Sequence, residues 1–125
     1  MAKALSDYVS EALMTVDEVD TAWVEEWVPQ GWVLLDVREE SEFDEGHIPG
    51  AINVPRGFLE VKADLEHHKR DPALADRSQK IVCYCGGGMR SALAAKTLME
   101  MGFEEVKSMR GGWTAWTDED REVEI

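Results

Sequence analysis

The chain has 125 residues, 44% of them hydrophobic, with 13 Lys and Arg against 26 Asp and Glu and a formal net charge of −13. That length suits one domain with a core that needs no disulfide or metal staple. The charge excludes a nucleic-acid-binding surface and disfavours an anionic membrane, because both need Lys and Arg along the contact, and no apolar run is long enough to span a bilayer.

Residues 1–10 are weakly patterned and read as an N-terminal extension with at most a helical turn; residues 11–14 read as a short strand. Thr15 to Glu18 has the form of a capping box, with Thr15 as N-cap and Met14 and Val19 as a hydrophobic staple. Val16, Val19, Trp23 and Trp27 then continue one apolar helical face, which Pro29 to Gly31 stops. Trp32 to Val37 is a near-continuous apolar run, suited to a strand covered on both faces and hence to a parallel sheet. Residues 39–45 predict a short charged helix, residues 46–50 a turn, and residues 51–54 a short strand ended by Pro55. A helical pattern with Leu59 and Leu65 on its apolar side covers residues 57–69, and Asp71-Pro72 breaks it.

Residues 80–84 predict a strand, residues 91–101 a helix with Gly102 just past its end and Phe103 packing back on Leu98, and residues 105–109 a final strand. Strands alternating with helices predict an α/β domain with a parallel sheet, whose ligand lies beyond the carboxyl ends of the strands. Trp113 and Trp116 read as core, with one of them free to wall a pocket.

At that carboxyl edge comes Cys85-Gly86-Gly87-Gly88-Met89-Arg90-Ser91. Only a thiolate is a good sulfur nucleophile. Unpaired amides at a helix N-terminus carry partial positive charge, glycines let successive amides turn inward by accepting positive φ, and Arg90 adds a fixed cation. The segment therefore reads as an anion cradle that favours the thiolate of Cys85, fit for phosphate or sulfur chemistry. The glycines are not a nucleotide loop, because the closing Gly-Lys-Ser/Thr is missing. Cys83 reads as a strand core residue, and its side chain and that of Cys85, alternating along the strand, are poorly placed for an ordinary disulfide. Two such cysteines and a start without the apolar core of a secretory signal imply a reducing, cytoplasmic setting. His47 reads as a hydrogen-bonding residue of its turn; His67 and His68 lie in a different segment, so no metal site is expected.

Four segments in order give the chain a resemblance to the rhodanese domain, a single-domain sulfurtransferase fold. They are Leu34 to Arg38 with Glu39 and Phe43, Gly46 to Pro55, Cys85 to Ser91, and Gly111-Gly112-Trp113 with Trp116. The resemblance implies a doubly wound α/β fold with a largely parallel five-stranded sheet and helices on both faces. It divides the chain into an N-terminal extension (1–10), the rhodanese-like domain (11–117) and an acidic tail (118–125). It implies that Cys85 takes sulfane sulfur from a donor such as thiosulfate or a persulfide and passes it, as a persulfide, to cyanide, a thiol or a protein acceptor. The persulfide would be the only covalent intermediate, with no cofactor, and the protein a monomer or weak homodimer. In this reading the amides of Gly86, Gly87, Gly88, Met89, Arg90 and Ser91 cradle the outer sulfur, Arg90 holds the loop's shape and charge, and Asp36 and Arg38 organise the loop from beneath.

Cysteine-dependent phosphatases resemble a pattern with five residues between Cys and Arg; here there are four, which fits sulfur rather than phosphate. Gly86 departs from the family, where that position often carries a basic or bulky residue. The departure points away from free thiosulfate and towards a larger thiol or protein-bound persulfide. The alternative reading is a binding or redox-sensing module on the same fold.

Overall fold

The computed structural model describes residues 2–125. Five strands, β1 (Asp17–Val19), β2 (Trp32–Asp36), β3 (Ile52–Asn53), β4 (Lys80–Tyr84) and β5 (Glu105–Met109), form one sheet in the order β1-β5-β4-β2-β3. Every pairing is parallel. Six helices accompany them: α1 (Leu5–Leu13), α2 (Thr21–Trp27), α3 (Glu40–Glu45), α4 (Leu59–Ala63), α5 (Met89–Glu100) and α6 (Gly112–Asp118). The expected α/β architecture and five-stranded parallel sheet are what the chain adopts. Among the described residues, no helix is long and apolar enough to cross a membrane.

The sheet separates two cores. On one face Leu35, Ile81, Cys83 and Val106 pack with Leu59 and Ala63 of α4 and Ala94, Ala95 and Leu98 of α5. On the other, Leu34, Val82, Tyr84 and Met109 pack with Val24 of α2 and Trp116 of α6. Strand alternation assigns the two sets. The pair Ala94 and Ala95 lets α5 lie close on the sheet. Cys83 and Cys85 do not alternate: two residues apart, they belong to the same core.

The central strands β2, β4 and β5 fall where the apolar runs predict. The N-terminal third does not. Residues 5–13 are a helix, not an extension followed by a strand, and α1 packs against α5. Thr15 is no N-cap. Its N–H donates to the carbonyl of Ala12, and Asp17 to Val19 enter the sheet against Lys107 to Met109 of β5. The next helix begins at Thr21, capped by Asp20, whose Oδ1 accepts the Trp23 N–H at 2.8 Å. Met14, the expected staple, is 82% exposed. A local capping signal yields here to pairing with a strand about ninety residues away, as tertiary context commonly overrides propensity.

Helix α4 is also shorter than the predicted 57–69. Past Ala63, the Asp64 carboxylate accepts the Glu66 N–H and the His67 ring accepts the Lys69 N–H. Such side-chain acceptors compete with helical bonding, and Leu65 is left 48% exposed. At the C-terminus, Glu124 exchanges backbone hydrogen bonds with His47, so the acidic tail lies on the domain.

Candidate active site

Cys85 follows β4 directly, at the carboxyl edge of the sheet, and is 1% exposed. The chain turns through Gly86, Gly87 and Gly88 into α5. Of the three glycines only Gly88, the N-cap of α5, has a left-handed backbone, with φ 106°. Gly86 and Gly87 need no such freedom. At Gly87 an added Cβ would meet nothing within 4 Å, and at Gly86 it would meet only the Arg90 guanidinium at 3.2 Å. Gly87 leaves open space on the loop, and Gly86 leaves room for the Arg90 guanidinium, which a Cβ would crowd.

The loop encloses the sulfur. The N–H groups of Gly88 and Ser91 donate to Cys85 Sγ at 3.1 and 3.3 Å, and the Ser91 hydroxyl lies 3.5 Å from it. The amides of Gly86, Gly87, Met89 and Arg90 have no acceptor among the described residues. Unpaired amides at a helix N-terminus form a ready anion site. The Met89 side chain stands at the rim, half exposed.

Helix α6 holds the loop in this shape. The Trp113 N–H donates to the Cys85 carbonyl at 2.7 Å and the Thr114 N–H to the Gly86 carbonyl at 3.0 Å. With both carbonyls turned outward to α6, the amides that follow are free to face inward. This contact requires a glycine at 112. Its φ is 55°, and a Cβ there would overlap the Cys85 carbonyl oxygen and stand 2.7 Å from that of Gly86. Gly112→Ala is expected to cost about 2–4 kcal/mol through strain and backbone overlap. It should also distort the sulfur loop; a denaturant midpoint equal to the parent's would refute the close approach.

Asp36 ends β2 and Arg38 follows it, 0% and 3% exposed. The guanidinium of Arg38 spans both carboxylate oxygens of Asp36, with Nη2 to Oδ2 at 2.8 Å, and donates to the Gly46 carbonyl at 2.8 Å. Neither residue hydrogen-bonds the loop. They reach it through Trp113, whose ring lies under the guanidinium at 4.7 Å. The Tyr84 ring lies nearby, and its phenol keeps its proton at neutral pH, since burial and then the Asp36 carboxylate push it well above the ordinary range.

Arg90 closes over the start of the loop, its Nη2 3.2 Å from where a Cβ on Gly86 would stand. It pairs with Glu42 of α3, Nη1 to Oε1 at 2.9 Å. The Arg90 hydrogen bond holds the Glu42 carboxyl below the ordinary carboxylate range, against a smaller effect of burial. Hence the pair is intact at neutral pH and is lost only as pH falls through that lowered value. Glu42 escaped the sequence reading because 48 residues separate it from Arg90 and an acidic helix face gives no sign of a partner. A pocket of about 310 Å³ opens beside the pair, lined by Arg38, Glu42, Glu45, Gly46 and Trp113.

His47 stands apart from the sulfur. Its ring bonds the Phe43 carbonyl and the Glu124 carboxylate, each at 3.0 Å, and stacks on Phe43. Cys83 is wholly buried, and burial, with the neighbouring Cys85 adding to it, pushes its thiol far up, so it stays protonated.

A sequence model of the rhodanese-like domain matches residues 20–119. The chain belongs to the rhodanese-like domain family. Among curated relatives, it is 37% identical over 84 residues to thiosulfate sulfurtransferase GlpE of Pseudoalteromonas translucida, covering 67% of this chain and 71% of that protein. It is 36% identical over 84 residues to the putative sulfur carrier protein YrkF of Bacillus subtilis, covering 67% of this chain but only 40% of that protein. Among solved structures, it is similar to a Rhodopseudomonas palustris protein of unknown function described as a possible tyrosine phosphatase. There the TM-score is 0.91 and the identity 32%, over 99% of this chain and 96% of that one. The rhodanese-like match thus takes in β2 to β5, the cysteine loop and α6, and sulfurtransferase names recur among the relatives of this domain.

Proposed function

We propose that this rhodanese-like domain is a sulfurtransferase that carries sulfur as a persulfide on Cys85. The observation that carries the reading is the sulfur itself, held by the Gly88 and Ser91 amides with four further amides of the loop unpaired around it. In the loading step the Cys85 thiolate attacks the sulfane sulfur of the donor. A new S–S bond forms, the donor's own S–S bond breaks, and sulfite (from thiosulfate) or a thiolate (from a persulfide) leaves with the electron pair. In the unloading step a thiolate or cyanide attacks the outer sulfur, the bond to Sγ breaks, and the pair returns to Cys85. The unpaired amides would hold the negative charge of the outer sulfur between the steps.

The donor preferred in this reading is the persulfide of a larger thiol, or a protein-bound persulfide, rather than free thiosulfate. The open space at Gly87 admits bulk, and Arg90, paired with Glu42, offers a small inorganic anion less attraction than a free guanidinium would. Glu42→Gln is expected to lower KM for thiosulfate about threefold to tenfold at low salt, with kcat little changed and the gain shrinking as salt is added. An unaltered KM would detach that pair from donor choice.

Phosphate chemistry is disfavoured by a loop that is one residue shorter than the phosphatase pattern and whose arginine is already paired with Glu42. The deciding measurement is intact mass after incubation of reduced protein with thiosulfate, glutathione persulfide and other sulfane donors. One added sulfur, removable by thiol or by cyanide with release of thiocyanate, is the expected result. No added mass with any donor, or hydrolysis of p-nitrophenyl phosphate in its place, would overturn the proposal.

A further inference from the structure

Two hydroxyls wholly shut off from solvent form a chain that reaches Cys85. Ser91 is on α5 and Ser108 on β5, beside Cys83 of β4 in the sheet register. Their oxygens are 2.8 Å apart. Ser91 Oγ is also 3.2 Å from the Gly88 carbonyl and 3.5 Å from Cys85 Sγ. Ser108 has no other side-chain partner among the described residues. Its neighbours Val106 and Met109 are apolar and buried, and a buried hydroxyl is costly unless bonded. Nothing in the packing of β5 calls for one there.

The hydrogens can be counted. A serine hydroxyl has one proton to give and two lone pairs. The Ser108 hydroxyl finds its acceptor in Ser91 Oγ, so Ser91 is left to donate elsewhere. While Cys85 is a thiol, the Ser91 proton serves the Gly88 carbonyl. When Cys85 becomes a thiolate, the same proton can turn to the sulfur. Without the Ser108 hydroxyl, Ser91 loses the donor that polarises its own O–H bond and fixes its rotamer.

We propose that Ser108 is a positioning residue that acts through the Ser91 hydroxyl to stabilise the anionic form of Cys85 Sγ. This rests on Cys85 as the sulfur carrier. The anion appears twice in that cycle, as the nucleophile that loads sulfur and as the leaving group when the acceptor takes the outer sulfur and the Sγ–S bond breaks. A hydroxyl chain ending on Sγ, and not on the outer sulfur, therefore eases both steps. The charged and titratable groups that act on the thiol are Arg90 on α5, paired with Glu42 of α3, and the Cys83 thiol on β4, which in turn feels Arg56 ahead of α4. Ser108→Ala alters none of them.

The experiment is a titration of Cys85 by ultraviolet thiolate absorbance, taken as the difference between each protein and the same protein carrying Cys85→Ser. It is paired with the rate of persulfide formation from glutathione persulfide. In Ser108→Ala the titration is expected to move to higher pH. The loading rate at pH 7 should fall about threefold to tenfold, with the deficit shrinking as pH rises and the thiolate fraction of both proteins grows. Ser91→Ala should behave alike, and the double variant no worse than either, because the two hydroxyls act as one chain. Ser108→Thr, which keeps the hydroxyl, should bring the titration back. A titration of Ser108→Ala coincident with the parent's, or a full further shift when it is added to Ser91→Ala, overturns the proposal. The titration needs no sulfur donor. A parent protein that titrates as expected but loads no sulfur would count against the sulfurtransferase reading and leave the hydroxyl chain standing.

Discussion

Cys85→Ser is expected to abolish sulfur loading and sulfur transfer, with a loss of at least about a thousandfold, while the fold survives. Serine replaces sulfur by oxygen in the same position, and an alkoxide is neither formed at neutral pH nor able to hold a sulfane sulfur. The Gly88 and Ser91 amides that point at Sγ can point at Oγ instead. The buried site keeps its hydrogen bonds, and stability should change by no more than about 1 kcal/mol. Thermal unfolding and intact mass after donor treatment read the two halves separately. Added sulfur in Cys85→Ser would move the carrier to Cys83, the only other thiol. That outcome is not expected, because Cys83 is wholly buried and protonated.

Arg38→Met is expected to destabilise the protein by about 3–5 kcal/mol, the largest loss of stability among the substitutions considered. The methionine fills much the same space, but it leaves the Asp36 carboxylate, 0% exposed, without the guanidinium that spans it. Removing one partner of a buried ion pair leaves an uncompensated charge, which costs more than the pair contributes. The Gly46 carbonyl loses its donor and Trp113 its stacking partner at the same time. Because Trp113 holds the Cys85 carbonyl, activity should fall even at temperatures where the variant remains folded. The double variant Asp36→Leu with Arg38→Met, which removes both charges, should recover part of the stability. Equal stabilities of the single and double variants, read by denaturant unfolding, would show that no charge is stranded.

The central strands and the cysteine loop were legible because their signals are local. Trp32 to Val37 and Ile81 to Tyr84 are apolar runs that suit a strand buried on both faces. Cys85 to Ser91 joins strand to helix within seven residues, so its placement at the sheet edge follows from the chain itself. Strand β1 was not legible, because three residues with a capping pattern become a strand only when β5 is beside them. Glu42 was not legible for the same reason: its partner is on another helix. The glycines were legible as a loop but not in their roles. Within the loop only Gly88 uses left-handed freedom, Gly87 leaves space and Gly86 makes room for Arg90, while Gly112, in a different segment, makes the contact that shapes the cradle.

By itself the amino-acid sequence determined that this is an α/β domain of the rhodanese-like family, with a cysteine where a parallel sheet presents its carboxyl edge. Apolar runs, glycine turns and the order of four motifs carry that much, because each is written in neighbouring residues. Only the tertiary structure decided what surrounds the sulfur. Arg90 pairs with Glu42, α6 holds the carbonyls of Cys85 and Gly86, and Ser108 reaches Cys85 through Ser91. Those are contacts between elements far apart in the chain. They depend on how helices and strands pack, and packing is a property of the whole fold rather than of any one segment.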